Sequence, residues 1–576
     1  MKKMLKELGA YKRQIVAIFV LVICSALANL ALPMYLSEVI DIAIPDGNMD
    51  AVLGYGAKML LFVLIGIFCS VATSYFAAQV SVGIGRELRS KVFRKVQTFS
   101  QSEFDRISTS SLITRTNNDV VQVQSFISVL LRISLMAPIM VVGGIVMALR
   151  KNVAMSMILL IAMPILLIFI FYFAGKIMSL SQEMQERLDR INLIVREKLT
   201  GIRVMRTFGM ESYEEERFEK VNRSFMDHAI RLDSIMAGMI PGMNLILYTT
   251  SVALIAFGGA QIIRGATIPI GDVIAMVQYV VQIMISVLML SMVFLVYPRA
   301  AVSAKRIDEV LETDPVIQSP SHPIFEPNGK GHLSFHNVSF TFPNATVPAL
   351  QDLSFESGPG EVTAIVGSTG CGKSTLVNLI PRFYDVQQGE IRIDGIDIKD
   401  MEIDLLRSKI GIVPQKAFLF KGTIADNVGY GSPGISEGEL MDALKIAQSA
   451  DFVMEKEGGL QAMITQGATN LSGGQKQRLA IARAIARKPE IYLFDDSFSA
   501  LDFKTDAALR KALLEEAKDA TVILVAQRVS TIKNADRIIV LENGRSVGVG
   551  THEELLESCE VYQEIVYSQL SGEEVH

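Results

Sequence analysis

Charge of one sign is scarce in this chain: 55 lysines and arginines stand against 60 aspartates and glutamates, a net charge of -5 over 576 residues. So small an imbalance gives no footing for nucleic-acid binding, and the informative quantity is where the cations fall. Cysteine is scarce too. Cys24, Cys69, Cys371 and Cys559 show neither paired nor metal-ligand spacing, which argues against a disulfide framework and fits a reduced, cytoplasmic soluble half. Apolar residues, by contrast, are abundant. Mean hydropathy is +0.36 and 50% of residues are hydrophobic, high for a soluble protein, and the chain is too long for one core.

Six uncharged or nearly uncharged runs have the length needed to cross about 30 Å of hydrocarbon: residues 14–37, 59–80, 126–149, 153–173, 240–263 and 273–296. Ala26-Leu27-Ala28 resembles a signal-peptidase site, but the apolar run continues past it, so the first helix is read as retained. The connections alternate between short ones and two long, helix-like ones rich in lysine and arginine, including Arg86, Arg89, Lys91, Arg187, Arg190 and Arg196. The excess of cations then places both termini and both long connections in the cytoplasm of a multi-pass membrane protein. Arg150, Lys151 and Arg264 fall on the other side. Because the long connections keep helical spacing, the membrane helices are expected to extend into the cytoplasm and turn over near Phe104–Thr114 and Gly209–Arg217, each a candidate contact for the soluble half.

Polar groups within the spans are few: Asn29, Arg132, Asn244, Gln278 and Gln282 are expected to face a cavity or another helix. For Arg132, snorkelling to the cytoplasmic end of its helix and a direct substrate contact both stay open. Methionines including Met136, Met140, Met243, Met284, Met289 and Met292 suit an adaptable surface, or simply face lipid. Glu38 and Asp41 close the outer end of the first span, as part of an outer gate or as solvated interfacial groups. A linker over 312–330, with Pro315, Pro320, Pro323 and Pro327, divides a domain at 1–311 from one at 331–576.

The second domain is organised around Gly367, Ser368, Thr369, Gly370, Cys371, Gly372, Lys373, Ser374 and Thr375. An apolar strand-like run, Val362–Val366, precedes this stretch and a helix-like run follows, the context that makes G-x-x-x-x-G-K-S/T a phosphate-binding loop. Its glycines let successive N–H groups converge on a polyphosphate; Lys373 would reach the terminal phosphates of ATP and Ser374 would hold Mg²⁺. Leu471-Ser472-Gly473-Gly474-Gln475 opens a cationic helical run and forms a second anion-binding helix start. Two such devices in one domain suggest head-to-tail pairing of two domains with ATP at the seam. Gln415 follows the strand Ile410–Val413, Asp495-Asp496 ends the strand Ile491–Phe494, and Gln527 ends Thr521–Ala526. Phe342 lies on or beside a strand some two dozen residues before the loop and suits either an adenine stack or the core.

This order of motifs, with Ser499-Ala500-Leu501-Asp502 after the acidic pair and six spans ahead, resembles the ATP-binding-cassette exporters of the six-helix type over nearly the whole chain. The resemblance implies an all-α six-helix transmembrane domain followed by an α/β nucleotide-binding domain with a RecA-like core and a helical subdomain. It implies that Phe342 stacks on adenine, that Ser374, Gln415 and Asp495 form the Mg²⁺ site, and that Ser472, Gly473, Gly474, Gln475 and Asp502 act on a partner's nucleotide. It departs from the family at two places: Asp496 stands where a catalytic glutamate is usual and Gln527 where a switch histidine is usual.

Both departures touch hydrolysis and neither touches binding. The expectation is one half of a heterodimeric multidrug-type exporter: this chain's own site binds ATP and cleaves it weakly, and its signature completes the site of a second, non-identical half-transporter. The alternatives are a homodimeric exporter, or a lipid translocator or ATP-gated regulatory membrane protein. The expected surroundings are membrane lipid and a small apolar or amphipathic substrate, with no nucleic acid.

Overall fold

A computed structural model describes residues 8–264, 268–324, 329–343 and 345–573, with side chains up to 569 except at 291, 292, 294 and 295. Pro327 and the side chain of Met292 lie outside the described residues.

Among the described residues six helices are long and apolar enough to span a bilayer: Leu8–Ala43, Met49–Gln97, Thr109–Lys151, Val153–Thr200, Glu211–Ile263 and Ile270–Leu290, the last continuing to Glu312. At about 1.5 Å per residue, helices of 48 to 53 residues are far longer than a 30 Å slab, so three of them carry polar extensions. Pro33, Pro138, Pro164 and Pro241 sit inside spans, where proline is tolerated more readily than in soluble helices. A buried cluster including Met155, Leu159, Leu166, Leu254 and Tyr279 fills the space between helices, and the Tyr279 hydroxyl donates to the Leu30 carbonyl at 3.2 Å.

Charge at the helix ends is neutralised locally. Lys151, at the end of its helix, sits 2.6 Å from Asp272 and donates to the Ser37 hydroxyl at 2.7 Å. Asp41 accepts from the Gly271 amide at 2.6 Å, so this carboxylate ties the first span to the start of the sixth. Within the spans, Gln282 donates to the Asn29 carbonyl at 3.2 Å and Asn29 to that of Ser25 at 2.8 Å.

The chain divides into two compact units, residues 1–97 with 110–313, and residues 98–109 with 314–576. This division by contacts differs from the expected boundaries at two places. The first unit ends at Thr313 rather than 311, and a piece of the expected membrane domain, Thr98–Thr109, belongs to the second unit. The reason is local bonding. Glu103, 3% exposed, accepts from the Ser100 amide and hydroxyl at 2.6 Å each, closing a capping box on the Gln101–Ile107 helix, and from the Val316 amide at 3.2 Å. Asp105 on the same helix accepts from the Tyr384 hydroxyl at 2.8 Å.

Twelve strands are found among the described residues of the second unit: β1 (Leu333–Phe340), β2 (Leu350–Ser357), β3 (Val362–Gly367), β4 (Gln388–Ile393), β5 (Ile396–Asp397), β6 (Ile410–Val413), β7 (Gly422–Thr423), β8 (Met463–Ile464), β9 (Ile491–Asp495), β10 (Thr521–Val525), β11 (Arg537–Glu542) and β12 (Arg545–Gly550). The main sheet has the order β12-β11-β3-β10-β9-β6; β11, β3, β10, β9 and β6 run parallel and β12 is antiparallel at the edge. β9 and β10 are buried along their full length, which is why they read as unbroken apolar runs. A second, antiparallel sheet has the order β2-β1-β4-β5. The helices between β6 and β9, including Glu437–Ile446 and Gly473–Ala486, pack as a helical layer on one apolar cluster.

Candidate functional site

Parallel strands deliver their C-terminal ends to one edge of the sheet, the usual place for a ligand in such a fold. Here that edge gathers the phosphate loop after β3, Gln415 after β6, Asp495 and Asp496 at the end of β9, and Gln527 after β10.

The loop itself is held tight by glycine. Gly372 has φ +105°, and a Cβ there would lie 2.7 Å from the Ala349 carbonyl oxygen; at Gly367 it would lie 2.1 Å from that of Leu541. The Lys373 ammonium turns back over the loop and donates to the carbonyls of Gly367 and Ser368, both at 2.7 Å. Cys371 is buried with its sulfur 3.7 Å from that ammonium. Ser374, on the first turn of the Lys373–Leu379 helix, donates to Asp495 Oδ1 at 3.1 Å. Ser368, Thr369 and Thr375 lie in the same strand-loop-helix turn.

Asp496 is the point of convergence. It takes φ +47°, a left-handed conformation that aspartate tolerates better than most residues, and its amide donates to the Val525 carbonyl at 3.0 Å. Its Oδ2 accepts from Gln527 Nε2 at 2.8 Å and from Gln415 Nε2 at 3.2 Å. Two residues distant in sequence thus meet on one carboxylate. Burial pushes the Asp496 carboxyl above its ordinary value, against the Gln415 hydrogen bond and the positive charge of Lys373; burial also raises Asp495, against the Ser374 hydrogen bond and with help from the charge of Asp496.

The signature stretch lies apart from this cluster in contact terms. Ser472 N-caps the Gly473–Ala486 helix in a capping box with Gln475, whose amide donates to the serine hydroxyl at 3.3 Å, and Ser472 and Gly473 are exposed. Gly474 and Gln475 are half-buried in the first turn. Asp502 caps its own following helix, Phe503–Glu516, by accepting from the Thr505 amide at 3.0 Å; that bond holds its carboxyl below the usual range. Phe342 is half-buried and makes edge contacts with Phe340 and Tyr384 at centroid distances of 4.9 and 5.4 Å.

Residues 15–308 match the ABC transporter transmembrane region and residues 350–499 match the ABC transporter family. The chain is 41% identical over 568 residues to an uncharacterized ABC transporter ATP-binding protein of Mycobacterium tuberculosis, covering 98% of this chain and 97% of that one. The chain belongs to the ABC transporter family. Another relative of this ABC transporter, a putative multidrug export ATP-binding/permease protein of Bacillus subtilis, is 32% identical over 573 residues, 98% of each chain. Its fold is that of an ABC exporter: a solved bacterial Atm1-family ABC exporter with ATP bound superposes with a TM-score of 0.81 at 27% identity, covering 97% of this chain and 99% of that one.

Three features of the ABC transporter's second unit escaped the sequence reading. Ser100-x-x-Glu103 is a legible capping box that lies just ahead of the turnover expected at Phe104–Thr114. Tyr384 carries no motif. Gln569, on the Glu560–Glu573 helix, donates to the Gln527 carbonyl at 2.7 Å and accepts from the Val529 amide at 2.8 Å, bracing the segment after β10 from both sides.

Proposed function

We propose that this chain is one half of a heterodimeric exporter that moves small apolar or amphipathic compounds across the cytoplasmic membrane by alternating access, with both termini in the cytoplasm. Its own phosphate-loop site binds ATP and cleaves it weakly; Ser472–Gln475 and Asp502 complete the site of a non-identical partner that carries the usual glutamate and histidine. The name of the Bacillus subtilis relative, a putative multidrug export protein, supports multidrug-type cargo.

The observation that carries this reading is the state of Asp496. A carboxylate that is to orient an attacking water needs a free oxygen at the right distance. Aspartate stands one methylene short of glutamate, and a displacement of about 1 Å costs roughly 10²-fold in rate. Oδ2 of Asp496 is moreover occupied by the amides of Gln415 and Gln527, which leaves only Oδ1 for such a water. Gln527 can donate a hydrogen bond but never carries a positive charge, and losing one tuned stabilising group costs about 10²- to 10³-fold.

The binding residues carry no such change. Lys373 exchanges its two loop carbonyls for phosphate oxygens, the loop amides cradle the chain of phosphates, and Phe342 offers a face to adenine. The hydroxyl of Ser374 and the carboxylate of Asp495, 3.1 Å apart, with Gln415 nearby in the fold, are an all-oxygen donor set that suits Mg²⁺. Bound there, Mg²⁺ would neutralise phosphate charge. Two nucleotides clamped between paired cassettes favour one membrane conformation and release favours the other; a shift from 1:99 to 99:1 requires about 5.5 kcal/mol of differential binding.

The test is a double substitution, Asp496→Glu with Gln527→His, in the tagged chain purified from its native membrane with any bound partner. Restoring both groups is expected to create a second hydrolysing site and raise ATPase activity about twofold or more. Unchanged activity with unchanged ATP binding would sink the reading of these two positions.

A further inference from the structure

Between the membrane helices of the first unit lies a cavity of about 280 Å³ lined by one cation, Arg132, and by the hydroxyl residues Ser25, Ser70, Thr73, Ser74 and Ser286. No carboxylate is among its lining residues. Concentrating donors in this way at membrane depth is costly, and such residues mark ligand paths more often than packing.

Three observations show that Arg132 and the Thr73 hydroxyl are not spent within the chain. Thr73 is 6% exposed and its Oγ1 has no hydrogen-bond partner. Helical threonines and serines ordinarily return their hydroxyl to the carbonyl four residues back, as Thr250 does to Ile246 and Ser286 to Gln282, both at 2.7 Å. Arg132 makes no ion pair or hydrogen bond among the described residues. It also sits in a π-helical turn, Leu130–Ser134, a local widening that recurs at functional sites, and the Ser134 hydroxyl in that turn is buried without a partner as well.

We propose that this cavity binds the anionic head group, phosphate or carboxylate, of an amphipathic compound. The guanidinium fork of Arg132 matches two oxygens of such a group at once, and the Thr73 hydroxyl supplies a further donor. The volume, just below the range for a drug-sized ligand, admits a head group and the start of a chain laid along Val22, Met136 and Met289. That the bound amphipath is cargo rests on the export reading above; that the site binds an anion does not.

The test uses the full chain in phosphatidylcholine nanodiscs without nucleotide, titrated with dodecyl phosphate, dodecyltrimethylammonium, phosphatidic acid and inorganic phosphate. Dodecyl phosphate is expected to bind at least about tenfold more tightly than dodecyltrimethylammonium. Arg132→Gln should abolish that preference, Arg132→Lys should keep part of it, and Thr73→Val should weaken dodecyl phosphate several-fold, all with ATP binding unchanged as the control for folding. Tighter binding of phosphatidic acid than of dodecyl phosphate assigns the site to lipid, and the reverse to a single-chain amphipath. Displacement of dodecyl phosphate by millimolar inorganic phosphate would overturn the amphipath. Absence of any preference in the wild-type chain, or its persistence in Arg132→Gln, overturns the site. Binding without ATP-driven movement of dodecyl phosphate in inside-out vesicles would leave the site standing and count against export.

Discussion

Lys373 shows how much of the nucleotide site is preset at the level of one side chain. Its ammonium already lies over the loop, satisfied by two carbonyls at 2.7 Å, so binding phosphate is an exchange of partners rather than a rearrangement of the loop. A hydrogen bond from a charged group contributes about 1.5 to 3 kcal/mol, so Lys373→Ala should weaken ATP binding by roughly ten- to a hundredfold, as read by titration with a fluorescent ATP analogue. Gly367→Ala should act differently. Its Cβ would meet the Leu541 carbonyl oxygen at 2.1 Å, backbone that cannot swing away, and the expected loss is fold stability of about 2 to 4 kcal/mol, seen as a lower midpoint in thermal unfolding even without nucleotide. These residues were legible because strand, loop and helix follow one another in sequence. The meeting of Gln415, Asp496 and Gln527 was not: each ends a different strand, and only the parallel pairing of β6, β9 and β10 brings their tips together.

At the scale of elements, the Gln101–Ile107 helix carries a pH-dependent tie. Burial alone would raise the Glu103 carboxyl, but hydrogen bonds from Ser100, Val316 and Ser102 outweigh it and hold the carboxyl below its usual 4.5. A carboxyl lowered in the folded state adds stability above 4.5, and that contribution fades as pH falls below it toward the native value. Acidification through that window should therefore loosen residues 100–107 before the sheet. Glu103→Gln should do the same at neutral pH, with hydrogen exchange of these amides faster by roughly tenfold for about 1 to 2 kcal/mol lost. The C-terminal helix makes a parallel case. Gln569→Ala removes the acceptor of the Val529 amide, and exchange at that amide should speed up several-fold while ATP affinity stays within about twofold. Long helices and apolar strands were legible from periodicity at this scale. The π-helical turns at Arg115–Asp119 and Leu130–Ser134 were not, because no local sequence rule distinguishes one extra residue in a helical turn.

At the scale of the whole molecule, hydropathy alone separated a membrane half from a soluble half, since six long apolar helices and a sheet with fully buried strands differ in both length and period. It could not assign Thr98–Thr109 to the second unit, because the bonds from Val316 to Glu103 and from Tyr384 to Asp105 join residues more than two hundred positions apart. Nor does the amino-acid order say whether this chain hydrolyses ATP by itself, which the proposed function denies. That question has a direct measurement: purify this chain free of any other half-transporter, load it with radiolabelled ATP and Mg²⁺, and follow both bound nucleotide and released phosphate. The account predicts that bound label remains mostly ATP while turnover stays below about 0.1 s⁻¹, two orders under a typical enzyme. Turnover above about 1 s⁻¹, with bound label converted promptly to ADP, would contradict it.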